Sequence, residues 1–239
     1  TPGRLAATPG HGVDARSRKP VQSGCLPGPG GELLAPDVLV YRQAAPGAPA
    51  SALVCLEETC SPHLAARRSG LTLDVAGLSA RIAQYAADSE VLLVEAAGGL
   101  LAPLNGSESM ADLFAALNRE LGALVVLVAA NRLGALNHAL LSLEVLRARG
   151  LEPAGVIMCD TSPGGAEDSL ESEIRNDNLR FIRERGRVPC LALLPYFSAL
   201  EEAGASGNEP EGSSGDRFCM PSESAVDYSS DTKPTFPNL

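Results

Sequence analysis

The sequence has few aromatic residues: tryptophan is absent, and aromatic side chains make up 4% of the 239 residues. Hydrophobic residues still make up 45%, so a core would consist mainly of leucine, valine and alanine. Such a core is typical of buried parallel strands and alanine-rich helices, and it argues against an aromatic-rich β-sandwich. No apolar run reaches the roughly 18 residues that a membrane-spanning helix needs, so we expect no membrane partner.

Positive charge is also scarce, with 19 lysines and arginines against 29 acidic residues and a formal net charge of -10. This balance argues against a nucleic acid or an anionic membrane surface as the main partner. The first 20 residues contain no apolar segment of the kind found in signal peptides. The six cysteines form no CxxC pair, so we expect reduced thiols and a cytoplasmic protein.

Apolar strands and amphipathic helices alternate through the middle of the chain. This order predicts right-handed strand–helix–strand units and a mostly parallel sheet, in which ligands bind at the carboxyl ends of the strands. We predict helices at 75–87, 110–120, 136–150 and 170–185, and buried strands at 90–94, 123–129, 155–158 and 190–194.

The two ends of the chain differ from the middle in composition. Residues 1–18 are rich in glycine, proline and arginine and predict an irregular segment. Residues 201–239 are rich in serine, glycine, proline and acidic residues and predict a disordered acidic tail. The predicted α/β domain therefore spans residues 19–200.

The segment EAAGG (residues 95–99) directly follows a predicted buried strand. Gly98 and Gly99 would let backbone N–H groups approach a ligand. Glu95, at a strand end beside such a turn, is a candidate Mg²⁺ ligand, because Mg²⁺ prefers a few carboxylates together with phosphate oxygens. The alternative is a sharp turn with a solvated glutamate.

Three other positions have both a functional and an ordinary interpretation. Lys19 lies at a strand end and could neutralise a phosphoryl or carbamate group, although most such lysines are surface residues. Asp37 lies in a predicted first helical turn, where aspartate usually caps. The helix that begins near Asn137 exposes N–H groups that can bind a carboxylate, which is compatible with an ordinary cap by Asn137.

Taken together, these segments resemble dethiobiotin synthetases in order and spacing. The resemblance covers about residues 19–195. The segments that carry it are KPVQSG (19–24), PDVLVY (36–41), CSPHLAA (60–66), VLLVEAAGGLLAPL (91–104), ALVVLVA (123–129), LGALNHALLSLEVLRARGL (133–151), AGVIMCDTSP (154–163) and VPCLALLP (188–195).

The resemblance implies a P-loop NTPase-like, three-layer α/β domain with a mostly parallel sheet, working as a homodimer. Such an enzyme closes a cyclic urea on 7,8-diaminopelargonate with CO₂ (or bicarbonate), using ATP as co-substrate and Mg²⁺. By resemblance, Lys19 stabilises the carbamate and phosphoryl charges, and Ser23 hydrogen-bonds near the carbamate. Asp37 and Glu95 hold Mg²⁺.

The resemblance also assigns the remaining candidate residues to substrate and nucleotide. Gly98 and Gly99 would present backbone to the diamine. The helix start with Gly134, Asn137 and His138 would bind the carboxylate tail of a substrate in the other subunit. Cys159 and Pro195 would line the adenine pocket, with Cys159 at a position where the family has an asparagine.

The sequence departs from the family in one major respect. It contains no GxxxxGK[ST] phosphate loop before KPVQSG, and the strand that precedes this loop is missing as well. We therefore expect an N-terminally truncated synthetase whose activity depends on the missing loop. Two alternatives stay open: a non-catalytic, degenerate P-loop-like module for dimerisation or binding, and the synthetase-like domain of a cobyrinate amidotransferase, which LGALNHALL disfavours.

Overall fold

The computed structural model describes residues 14–163 and 169–197. Strands and helices alternate along this part of the chain. The strands are β1 (Ala15–Gln22), β2 (Leu26–Pro27), β3 (Leu33–Leu34), β4 (Ala50–Cys55), β5 (Val91–Val94), β6 (Val126–Ala130), β7 (Gly155–Cys159) and β8 (Cys190–Leu194). The helices are α1 (Pro36–Ala44), α2 (Pro62–Arg68), α3 (Val75–Ala87), α4 (Met110–Leu121), α5 (Ala135–Ala148) and α6 (Leu170–Glu184).

Strand β1 is the centre of the first sheet and pairs in parallel with β4 on one side and β5 on the other. In this register Lys19 lies beside Ala52 of β4, and Arg18 lies beside Val94 of β5. All three strands therefore end at the same edge. A short antiparallel pair, β2 with β3, connects β1 to α1.

Strands β6, β7 and β8 form a second parallel sheet in that order. Strand β7 is its central strand, and Val156 and Met158 are fully buried there. The parallel α/β fold that the sequence predicted is confirmed. Within the described residues, however, β5 and β6 do not pair, so the strands form two sheets of three.

Helices cover the two sheets unequally. Helices α2, α3 and α4 pack on one side of the first sheet around Leu113 and Ile82, and α1 packs on the other side around Tyr41. Helices α5 and α6 pack on the side of the second sheet that carries Leu127 and Ala129. On the opposite side of β6, the alternate residues Val126 and Val128 are 38% and 52% exposed.

Local signals in the sequence explain where several helices begin and end. Asp74 precedes α3, and its carboxylate accepts from the Gly77 N–H at 2.7 Å. At the start of α4, the Ser109 N–H donates to the Asp112 carboxylate at 2.7 Å. Gly122 ends α4 with φ +67°, a left-handed conformation that favours glycine.

The predicted segment boundaries hold only in part. Strand β1 begins at Ala15, inside the segment 1–18 that we predicted to be irregular, because its first residues already pair with β5. The first residues of β1, ARSR, are mostly polar, so they lack the apolar pattern that predicts a strand. The predicted tail, 201–239, lies outside the described residues. None of the described helices is long and apolar enough to cross a bilayer.

We predict that Leu113→Ala lowers the free energy of unfolding by about 2–5 kcal/mol, because it leaves a cavity in the core between α3, α4 and the first sheet. Leu113 is fully buried. Leu170→Ala is the matched control: Leu170 is 71% exposed, and its truncation should change stability by less than about 0.5 kcal/mol. Urea denaturation of both variants measures the difference, and equal losses would contradict the assigned core.

Candidate functional site

Strand β1, the carboxyl end of β5 and the start of α1 bring together Lys19, Asp37 and Glu95. The prediction that Lys19 lies at a strand end is wrong, because β1 continues past it to Gln22. The Lys19 Nζ lies 2.6 Å from Asp37 Oδ2 and 3.4 Å from Glu95 Oε1. It also donates to the Ala96 carbonyl at 2.8 Å. The three donors of the ammonium group thus have three acceptors, which is what a buried cation requires. The Lys19 side chain is 6% exposed, so it is not the surface lysine of the ordinary interpretation.

Secondary structure fixes each member of this cluster. Glu95 is the first residue after β5, and its N–H still donates to the Arg18 carbonyl of β1 at 3.1 Å. Asp37 lies in the first turn of α1, next to Pro36 at the start of the helix. The carboxylates of Asp37 and Glu95 keep part of their surface in solvent. A ligand can therefore reach the carboxylates, while Lys19 lies beneath them.

Tyr41 is the fourth member of this cluster, and the sequence motifs did not identify it. Its hydroxyl donates to Glu95 Oε2, and the residue is 2% exposed. Burial raises the pKa of Tyr41 far above its ordinary value, and the hydrogen bond to Glu95 raises this pKa further. The phenol is therefore protonated at neutral pH, where it donates to the Glu95 carboxylate.

In the turn after Glu95, one of the two glycines, Gly98, has a backbone conformation that favours glycine. Gly98 has φ +78°, and a Cβ there would lie 3.2 Å from the Ala102 Cβ, so a larger residue would be strained. Gly99 has open space around the position of a Cβ. Within the described residues, Arg187 is the sole non-glycine residue with positive φ, so Ala96 carries no such strain.

Ser23 and the start of α5 are the other positions predicted to contact substrate. Ser23 directly follows β1 and is partly exposed. Gly134 is the N-cap of α5 with φ +86°, so Asn137 is not the cap. Asn137 and His138 lie in the first turns of α5 and are exposed.

A second polar cluster lies at the carboxyl ends of β6 and β7. Asn131 is fully buried, and its amide donates to Asp160 Oδ1 at 3.0 Å. Asn178 donates to Asn131 Oδ1 at 3.1 Å. Arg175 Nη1 lies 3.3 Å from Asp160 Oδ2, and its Nη2 donates to the Ser162 carbonyl at 3.0 Å. These contacts therefore connect the carboxyl ends of β6 and β7 to α6.

Cys159 and Pro195, predicted to contact adenine, lie beside this second cluster. Cys159 ends β7 and is the register partner of Leu194, the last residue of β8, which Pro195 follows. The Asp160 N–H donates to the Leu194 carbonyl at 2.9 Å. The predicted pair is thus together at one edge of the second sheet, whereas Lys19, Asp37 and Glu95 belong to the first sheet.

Sequence reasoning missed four polar residues of these clusters, namely Tyr41, Asn131, Arg175 and Asn178. Tyr41 lies four residues after Asp37, one helical turn away on the same side of α1, so this spacing was an available signal. Arg175 and Asn178 lie on a polar helix with no motif that singles them out. Asn131 directly follows β6, a position where the rule for parallel sheets could have found it.

The profile of a protein family described as "AAA domain" matches residues 10–203 of the chain. The match covers more than half of the sequence and includes both polar clusters. It therefore assigns the two three-stranded sheets to one family of domains.

Three similar proteins carry one and the same name, ATP-dependent dethiobiotin synthetase BioD. The protein from Anoxybacillus flavithermus is 34% identical over 187 residues, which cover 78% of this chain and 80% of that protein. The protein from Pseudomonas aeruginosa strain UCBPP-PA14 is 38% identical over 211 residues, which cover 84% and 83%. The protein from Chromohalobacter salexigens is 35% identical over 201 residues, which cover 82% and 83%.

We predict that Tyr41→Phe lowers the free energy of unfolding by about 1.5–3 kcal/mol, because it removes a buried hydrogen bond to a carboxylate and keeps the ring. The matched control is Tyr85→Phe, since Tyr85 contacts the Arg18 guanidinium through its ring, at 4.1 Å. Phenylalanine keeps that contact, so the control should be nearly neutral. Equal effects of the two substitutions in urea denaturation would show that the hydroxyl of Tyr41 is not bonded to Glu95.

Proposed function

Since the chain belongs to the family of ATP-dependent dethiobiotin synthetases, enzymes of biotin biosynthesis, we propose that Lys19, Asp37 and Glu95 form the part of its active site that holds the carbamate and the metal. The observation that carries the proposal is a buried lysine between two accessible carboxylates, one in the first turn of α1 and one just after β5. The substrates are 7,8-diaminopelargonate, CO₂ and ATP, and we propose that the enzyme acts in the cytoplasm.

Two steps follow the formation of the carbamate: its phosphorylation by ATP and the closure of the ring by the second amine. An amine of the diamine adds to the carbon of CO₂ and loses a proton, which gives the carbamate. A carbamate oxygen then attacks the γ-phosphorus of ATP, and the bond to ADP breaks. Finally the second amine attacks the carbamoyl carbon, phosphate leaves with the C–O electron pair, a proton is released, and the cyclic urea closes.

Lys19 suits the steps in which negative charge is concentrated on oxygen. Its ammonium group lies at a fixed position in a buried environment, where an interaction with a developing anion is stronger than in water. The contacts with Asp37, Glu95 and Ala96 hold it there before substrate binds. Ser23, just after β1, would hydrogen-bond the carbamate.

The donor set of this cluster fits Mg²⁺ when phosphate oxygens supply the remaining ligands. Asp37 Oδ2 and Glu95 Oε1 both contact the Lys19 Nζ, at 2.6 Å and 3.4 Å. The separation of the two carboxylate oxygens therefore cannot exceed the sum of these distances. No group of three or more histidine, cysteine or acidic residues in the described part of the chain could hold a metal alone. Mg²⁺ typically takes one or two carboxylates with phosphate and water, and it would neutralise charge on the transferred phosphoryl group.

Substrate and nucleotide would lie on opposite sides of this cluster. Gly98 and Gly99 would face the diamine, because the turn that contains them directly follows Glu95. Cys159 and Pro195 would flank the adenine at the second sheet. A cysteine is a weak hydrogen-bond partner for a base edge, so we expect Cys159 to add little affinity for the nucleotide.

We propose that the working enzyme is a homodimer whose second subunit supplies the site for the substrate's carboxylate tail. The start of α5, with Gly134, Asn137 and His138, has no side-chain cap, and N–H groups at the start of a helix are suited to a carboxylate. Leu133 and Leu141 on the same segment are 77% and 55% exposed. Apolar side chains of that exposure are typical of a surface that a partner covers.

The alternative function is a non-catalytic binding module, favoured by the absence of GxxxxGK[ST] from the 239 residues. We predict that the chain binds MgATP only weakly, because it lacks the backbone cradle and the lysine for the β- and γ-phosphates. Isothermal calorimetry with MgATP should show no saturation in the micromolar range. Micromolar affinity would show that other residues replace the loop.

We predict that the chain, preceded by a strand and a GxxxxGK[ST] loop, forms dethiobiotin from diaminopelargonate, bicarbonate and MgATP. Lys19→Met should lower kcat by roughly 10²–10³, the usual effect of removing a group that stabilises developing charge. Mass spectrometry of the product and the release of ADP measure the reaction.

The control for that substitution is Arg119→Met, since Arg119 lies on α4 with its side chain 71% exposed and should not affect turnover. Glu95→Gln should raise the Mg²⁺ concentration needed for half-maximal rate. Absence of diamine-dependent ADP release in the restored protein would favour the non-catalytic alternative. Unchanged turnover in Lys19→Met would remove Lys19 from the site.

A further inference from the structure

Arg18, on the central strand β1, is a buried cation to which the described residues supply no carboxylate. The residue is 5% exposed, and it belongs to none of the ion pairs within residues 14–163 and 169–197. Burial lowers the pKa of its guanidinium group, and the positive charge of Arg16 acts in the same direction. A buried charge without a counter-charge is costly. The chain has 29 acidic residues, so acidic side chains are not scarce.

The hydrogen bonds of Arg18 leave part of its guanidinium group unsatisfied. Its Nη1 donates to the Ser17 carbonyl at 2.9 Å and to the Pro49 carbonyl at 3.4 Å. Its Nε is buried without an acceptor, and both hydrogen bonds leave from Nη1, so Nη2 has no acceptor in the described part of the chain either.

Tyr85 does not replace the missing acceptor. Its ring centre lies 4.1 Å from the Arg18 Cζ, so the ring covers one flat face of the guanidinium group. The N–H groups lie in the plane of that group, and a ring on the face leaves them free to donate. The guanidinium group therefore still lacks both a counter-charge and acceptors.

Arg42, in the last turn of α1, is a second arginine beside the same stretch of backbone. Its Nη2 donates to the Ala50 carbonyl at 3.2 Å, one residue beyond the Pro49 carbonyl that Arg18 contacts. Arg42 forms no ion pair with any described residue. Two guanidinium groups from β1 and α1 thus reach the start of β4 without a carboxylate between them.

A cleft of about 480 Å³ is lined by Arg18, Arg42 and the segment 47–51. That segment, GAPAS, contains no charged side chain. The arginines therefore supply the charge of the cleft, and the small side chains supply its room. Lys19, Asp37 and Glu95 do not line it, so the cleft is separate from the candidate active site.

We propose that this cleft binds a phosphate group, either as the free ion or as the monoester of a small molecule. A phosphate dianion carries enough charge for two guanidinium groups, and its oxygens point in several directions, so both arginines can donate to it. A carboxylate has one charge and two oxygens in one plane. The volume of the cleft leaves room for a small group attached to the phosphate. This binding site does not depend on the catalytic roles proposed above.

The test is isothermal calorimetry of the 239-residue chain with inorganic phosphate, and with acetate at the same ionic strength. We expect saturable binding of phosphate that is stronger than that of acetate. Arg18→Met and Arg42→Met should each weaken phosphate binding at least roughly tenfold, because each removes charge-assisted hydrogen bonds to the anion. Circular dichroism checks that Arg18→Met is folded. Arg42 is exposed, so Arg42→Met provides the test even where Arg18→Met does not fold.

Two control variants separate this cleft from other cationic positions. Arg119→Met removes one positive charge from a side chain that is 71% exposed, and it should leave the affinity for phosphate unchanged. Lys19→Met removes the buried cation of the candidate active site and should also leave this affinity unchanged. Loss of phosphate binding in Lys19→Met but not in the two arginine variants would place the anion in the active site and overturn the proposal.

A titration with phenyl phosphate distinguishes the two sources of the phosphate group. Binding tighter than that of inorganic phosphate would assign the cleft to a monoester, and equal or weaker binding would assign it to the free ion; both results support a phosphate site. Absence of saturable phosphate binding would overturn the proposal. Acetate binding as strong as phosphate binding, or unchanged affinity in both arginine variants, would overturn it as well.

Discussion

The parallel pairing of β1 with β4 and β5 is the constraint on which the site depends. It buries the peptide groups of a strand that contains Lys19 and ends β5 opposite Arg18, so that Glu95 follows beside the lysine. A buried ammonium group is tolerable only with acceptors around it, and Asp37, Glu95 and the Ala96 carbonyl supply them. The fold thus fixes the position of a positive charge before any substrate binds.

Much of the fold could be predicted from the sequence, because its strands are short apolar runs and its helices have clear signals. Asp74, Gly122 and the capping pair Ser109 and Asp112 mark helix ends with local hydrogen bonds or a required conformation. Strand β1 was placed too late, since its partners β4 and β5 stabilise a polar sequence that has no strand pattern. The split between β5 and β6 follows from pairing over long distances in the chain, which periodicity does not reveal.

The candidate site was predictable where residue type and strand end coincide, as for Glu95, whereas Lys19 lies inside β1. Asp37 was assigned through the family resemblance, and the structure gives a physical reason, a contact of 2.6 Å with Lys19. The partner of Tyr41, Glu95, lies 54 residues away in the chain, so only the spacing of Tyr41 from Asp37 could have indicated it. Arg175 escaped prediction because no motif on its polar helix singles it out. The roles of all these residues toward substrate rest on the proposed reaction.

The most direct test of the central claim is whether the Lys19 cluster holds a carbamate without nucleotide. ¹³C-labelled bicarbonate and diaminopelargonate are added to the chain, and the carbonyl region is followed by ¹³C NMR. We predict a protein-bound carbamate signal, distinct from bicarbonate, that disappears in Lys19→Met and persists in Arg119→Met. A signal that survives in Lys19→Met, or none in the unchanged chain, would contradict the assignment of Lys19 as the residue that holds the carbamate.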